Sequence, residues 1–112
     1  MNIEIIRGRT ENLKVYVNDA NGEPYALASS EKLVFGAKKN VNDEELAIKK
    51  IVTEGTDGVY VFEFAPAETE ELAIGKYYYD VAMSSGEDLY PIIKEHYMMV
   101  CDSIVKHGDV NG

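Results

Sequence analysis

The chain has 112 residues, enough for one domain around one core, and its hydrophobic fraction of 46% is that of a globular rather than a disordered protein. Twenty acidic residues against eleven basic ones give a formal charge of −9, which argues against nucleic-acid binding, because phosphate contacts need a concentrated positive patch. The single cysteine, Cys101, excludes an intrachain disulfide and a thiolate zinc site.

No apolar run approaches the ~20 residues a membrane helix needs. Residues 1–6 are interrupted by Asn2 and Glu4 and are followed by Arg7, unlike the charge-first, unbroken apolar pattern of a signal peptide. The expectation is a soluble protein made in a cytoplasm, with no membrane insertion and a core that stands on packing alone.

The elements read as short alternating runs separated by Gly, Asn and Asp. Residues 3–6 are the first strand and 13–17 the second, with Leu13, Val15 and Val17 on one face and Lys14 and Tyr16 on the other. Asn18-Asp19-Ala20-Asn21-Gly22 is a turn cluster. Residues 32–38 predict a strand with Leu33, Phe35 and Ala37 inward. Residues 47–54 predict a more polar edge strand whose lysines discourage aggregation. Thr56-Asp57-Gly58 reads as a hairpin turn into 59–64, where Tyr60, Phe62 and Phe64 form the core face.

Residues 65–74 hold the one helical signal, with Pro66 suited to a first turn and Glu68, Glu70 and Glu71 suited to its positive end. Gly75 closes it before a strand over 76–83. Residues 84–88 turn into strands over 89–94 and 97–101. The predicted fold is all-β, an immunoglobulin-like antiparallel β-sandwich of about seven or eight strands with one short helical turn. One domain is expected over residues 1–106, with a flexible polar tail over 107–112.

Nothing in the sequence converges into catalytic chemistry. His96 and His107 are the two histidines, and the spacing of five between His96 and Cys101 puts them on opposite faces of a regular strand. The segment 18–23 lacks a calcium-loop pattern, since Val17 stands at the first ligand position and no glutamate stands at the twelfth. The glycines form no phosphate-binding pattern. The expectation is therefore a protein without catalytic, cofactor-binding or metal residues, one that is not an enzyme. Eight tyrosines are the enriched contact chemistry. Tyr16 and Tyr78, alternating with Val15 and Tyr77, are the candidate interface residues, for a protein partner or, alternatively, for a carbohydrate or cell-wall glycan.

The most informative segment is Leu72-Ala73-Ile74-Gly75-Lys76-Tyr77-Tyr78-Tyr79-Asp80-Val81. Immunoglobulin-like domains carry a Gly-x-Tyr-x-Φ run in which the tyrosine turns a corner and hydrogen-bonds a backbone group just upstream. Gly75, Tyr77 and Tyr79 occupy those positions, with Tyr79 where antibody domains place their second cysteine.

Four blocks extend the likeness over roughly residues 3–105. They are Ile5-Ile6-Arg7-Gly8-Arg9-Thr10 leading into Leu13-Lys14-Val15, the run from Asn21-Gly22 to Leu33-Val34-Phe35, Glu68 to Val81, and Leu89 to Val100. Together they resemble a family of small immunoglobulin-like proteins and domains of phages and prophages of Gram-positive bacteria, among them the N-terminal domains of baseplate upper proteins. Glu68 to Val81 is the closest block, similar to a Thr-x-x-Leu-x-x-Gly-x-Tyr-x-Tyr-Asp-Φ signature. Arg9 replaces the family's usual Asp, and Pro91 and Glu95-His96 replace the Thr and Gly of its last hairpin. The resemblance implies a tail or baseplate structural or attachment module, made in the bacterial cytoplasm and associated with the virion. Its partners would be other tail proteins or further copies of itself.

Overall fold

The computed structural model describes residues 2–104, so the tail expected over 107–112 lies outside the described residues. In chain order the elements are β1 (Ile3–Ile6), β2 (Glu11–Tyr16), β3 (Glu31–Lys38), β4 (Ile48–Val52), β5 (Val59–Phe64), α1 (Pro66–Thr69), β6 (Gly75–Ser85) and β7 (Asp88–Cys101). They form a sandwich of two unequal sheets, one of five strands in the order β1-β7-β6-β3-β4 and one made of β2 and β5. In immunoglobulin terms, β7-β6-β3-β4 take the places of strands G, F, C and C′, and β2-β5 those of B and E.

One pairing departs from a wholly antiparallel fold. β1 lies parallel to β7, with Ile3 opposite Met98 and Ile5 opposite Val100. The chain enters along the edge of the last strand and then crosses to the other sheet through the turn at Gly8, whose φ of +80° glycine adopts without strain. Two antiparallel hairpins follow their turn chemistry closely. Asp57 and Gly58 both have positive φ, closing β5 onto Thr56 in the manner of a two-residue type I′ turn. Gly86, with φ +60°, opens the two-residue loop between Ser85 and Asp88.

The last strand corrects the sequence reading. Instead of separate strands over 89–94 and 97–101, β7 is continuous, with irregularities opposite Tyr79–Val81 and Val81–Ala82. Pro91 sits opposite Ala82 at the second of these. It is tolerated because the bulge absorbs it, and because β1 pairs only with residues 98–101 and leaves this stretch as a sheet edge. At the opposite edge, β4 carries Lys50, which pairs with Glu68 of α1 at 2.8 Å. That contact ties the edge strand to the helical turn.

Alternation decides what fills the space between the sheets. Leu13, Val15 and Val17 come from β2 and the residue after it, and Tyr60, Phe62 and Phe64 from β5. They meet Leu33, Phe35, Ala37, Ile48, Tyr77, Tyr79, Val81, Met98 and Val100 of the larger sheet, all buried. Phe35 is the centre of this layer. Its ring lies 5.1 Å from Phe64 and 6.0 Å from Phe62 across the sandwich, and 5.4 Å from Tyr79 within its own sheet. Aromatic contacts thus join β3 to β5 across the sandwich and to β6 within its own sheet.

Candidate functional site

The corner is built by the segment between α1 and β6. Pro66 begins the single turn of α1, and the Glu68 carboxylate accepts the Ala65 backbone N–H at 2.9 Å. Thr69 is fully buried, and its hydroxyl oxygen accepts the Gly8 N–H at 2.9 Å. The Tyr77 hydroxyl donates to the Ala73 carbonyl at 2.8 Å, four residues upstream. Lys39 donates to the Ile74 carbonyl at 3.0 Å, and its ammonium stands 4.8 Å from the centre of the Tyr77 ring. Gly75 takes a φ of +135° where the chain turns into β6. Burial pushes the phenols of Tyr77 and Tyr79 above their ordinary range, so both stay neutral.

The opening Arg7-Gly8-Arg9 block is fastened to this corner and to the end of β7. Arg7 bonds the Leu72 carbonyl at 2.9 Å and pairs with Asp102 at 3.2 Å. Arg9 donates to the Ser103 hydroxyl at 3.0 Å.

The candidate interface tyrosines both point outward, but on opposite sheets. Tyr16 stands on the outer face of β2 and is 69% exposed. Tyr78 lies on the outer face of β6 and is only half-buried, its ring set edge-on to Tyr97 at 5.4 Å. The Lys76 ammonium sits over both rings, 4.2 Å from the centre of Tyr97 and 5.5 Å from that of Tyr78. Tyr16 and Tyr78 therefore belong to two different surfaces.

The outer face of the five-stranded sheet holds what the sequence reading missed. The β3–β4 loop folds back over it, and Leu46 seats on Gly36 so closely that a Cβ there would lie 3.0 Å from the leucine methyls. Beside this contact a depression of about 180 Å³ is lined by Lys38, Val41, Tyr78, Asp80 and Glu95. A second depression, of about 270 Å³, shares Asp80 and Glu95 and continues over Ala82, Leu89 and Pro91. Desolvation pushes the Asp80 carboxyl up, Glu95 adds to the shift, and Lys38 opposes it. The sequence signal for this site was Gly36 in the middle of a strand pattern, which marks a close approach.

Cys101 and His96 are not brought together. His96 lies opposite Tyr79 on the inward-facing side of β7, whereas Cys101 is opposite Ile6 at the strand's end. Burial, then the charge of Glu4, pushes the Cys101 thiol up and keeps it protonated. In the segment 18–23 the Asp19 carboxylate accepts the N–H groups of Asn21 and Glu23, a turn closed on itself. Among the described residues no three His, Cys, Asp or Glu side chains converge as a metal site. Among the same residues, no helix is long and apolar enough to cross a membrane. Compared with protein-family models and with curated protein sequences, the chain matches none.

Proposed function

We propose that this chain is a non-catalytic immunoglobulin-like module of a phage or prophage, acting through protein–protein contacts in a tail or baseplate assembly. The observation that carries the protein-contact reading is the outer face of the five-stranded sheet. Ile51, Leu89, Tyr97 and Met99 are exposed there, beside the half-buried Val34 and Ala82. A row of apolar groups on one solvent-facing sheet surface favours association with another protein. The phage setting rests on the Glu68 to Val81 block and its resemblance. A glycan reading needs open aromatic faces on one surface; Lys76 covers the rings of Tyr78 and Tyr97, and the open rings, Tyr16 and Tyr90, stand on different sheets.

The test begins with the gene neighbours and with purified virions. Tail, tape-measure or lysis genes alongside, and the chain in washed particles, are the expected results. A metabolic operon on both sides would sink the phage reading. Ile51→Asp and Leu89→Asp should abolish co-purification with the neighbouring tail protein without changing Tm by more than a few degrees, whereas Tyr16→Ala should not. Saturable binding to cell-wall glycans that Tyr16→Ala or Tyr78→Ala removes would instead select the carbohydrate reading.

A further inference from the structure

We propose that Asn21 is a self-modification site, converted to aspartate or isoaspartate by its neighbour Gly22 at a rate that Asp19 holds down. Among the described residues Asn21 is the one asparagine followed by glycine. Both residues are exposed at the tip of the loop after β2, and nothing lies within 4 Å of the Cβ position of Gly22. A glycine nitrogen carries no neighbouring side chain to obstruct ring closure.

The reaction balances without any partner but water. The Gly22 backbone nitrogen loses its proton and attacks the Asn21 side-chain carbonyl carbon. A new C–N bond closes a five-membered succinimide, and the amide nitrogen leaves as ammonia. Water then opens the ring at either carbonyl, giving aspartate or isoaspartate. No group is oxidised or reduced, and the chain gains one negative charge.

Asp19 holds the nucleophile out of this geometry. Its carbonyl accepts the Gly22 N–H at 3.0 Å, so the reacting nitrogen keeps its proton engaged. Its carboxylate oxygen Oδ1 accepts the N–H of Asn21 at 2.8 Å and that of Glu23 at 3.0 Å, fastening the backbone on both sides of the reacting bond. The Asp19 N–H in turn donates to the Glu23 carbonyl at 2.8 Å. Deamidation must therefore pass through an opened turn. Isoaspartate adds a methylene to the backbone of this turn, which cannot then keep the same set of bonds. The product also places a new charge between Asp19 and Glu23, where the Asn18–Pro24 bridge closes the loop.

The test is to incubate the purified chain at mildly alkaline pH and follow the tryptic peptide of residues 15–32 for the deamidation mass gain and the isoaspartate isomer. In the folded wild type the rate should be less than about one-tenth of that in urea. Asp19→Ala loses two hydrogen bonds and should speed the folded-state reaction about fivefold to tenfold. Asp19→Asn keeps an acceptor oxygen and should stay within about twofold of the wild type. The proposal fails if the folded wild type reacts as fast as the unfolded chain, if no mass gain appears in urea, or if Asp19→Ala folds and leaves the rate unchanged. The first two outcomes need no variant to fold.

Discussion

At the scale of single residues, the corner of β6 carries the sharpest consequences. Tyr77 is buried, and its hydroxyl is bonded to the Ala73 carbonyl. Tyr77→Phe keeps the ring but strands that carbonyl, and should cost about 1–2 kcal/mol, read from the urea midpoint with an unchanged m-value. Gly75 is the other exposed dependency. An alanine at φ +135° is strained, and its Cβ would meet the Lys39 ammonium, which would have to leave the Ile74 carbonyl. Gly75→Ala should destabilise by about 1–2 kcal/mol in the same measurement. Both residues were legible beforehand, because a glycine two positions before a tyrosine at the start of a strand has a geometric meaning. Asp80 was not. Its carboxyl becomes special only where β7 bulges beside it and the loop carrying Leu46 closes over Gly36, and no local pattern in residues 76–83 announces either event.

At the scale of elements, α1 is one turn long and cannot stand on helix propensity. It is held by the Glu68 carboxylate, which accepts the Ala65 N–H and the Lys50 ammonium. Those bonds, that of Lys50 first, hold the Glu68 carboxyl below its ordinary range. A lowered folded-state pKa gives stability that is present above the ordinary glutamate value and lost as pH falls through the folded one. Glu68→Gln should therefore lower Tm at neutral pH and converge with the wild type in acid. Because the pair is partly exposed, the loss should be only about 0.5 kcal/mol. The β7 edge shows the opposite kind of control. Pro91 and the adjoining bulges interrupt the stretch of β7 that β1 leaves unpaired and discourage another strand from adding to it. Pro91→Val should raise aggregation on heating, followed by light scattering, more than it changes Tm.

At the scale of the molecule, the two sheets are unequal, and the outer face of the larger one carries the two depressions that share Asp80 and Glu95. Asp80 on that face is penalised for its charge. Its folded-state pKa is raised, first by desolvation and then by Glu95, so the native state is less stable above that value and recovers as pH drops through it. Asp80→Asn should raise stability at neutral pH by about 0.5 kcal/mol, a figure kept small by solvent screening, with no gain in acid. A partner that brings a cation to this face would remove the penalty as well, and the wild type would then gain more from binding than Asp80→Asn does. Titration calorimetry with a partner recovered by co-purification would read that difference.

The sequence by itself determined every strand but the last, their inward faces and the corner. Alternation at Leu33–Phe35–Ala37 and Tyr60–Phe62–Phe64, a Gly-x-Tyr spacing and the Asp57-Gly58 turn are local facts, and local sterics and burial enforce them. Three features were decided only by the tertiary structure. β1 joined the last strand in parallel, β7 ran on through Pro91, and Tyr16 and Tyr78 fell on opposite faces of the sandwich. Each depends on which distant segment lies alongside, and period-two alternation says which side of a strand is inward without saying which sheet the strand will join.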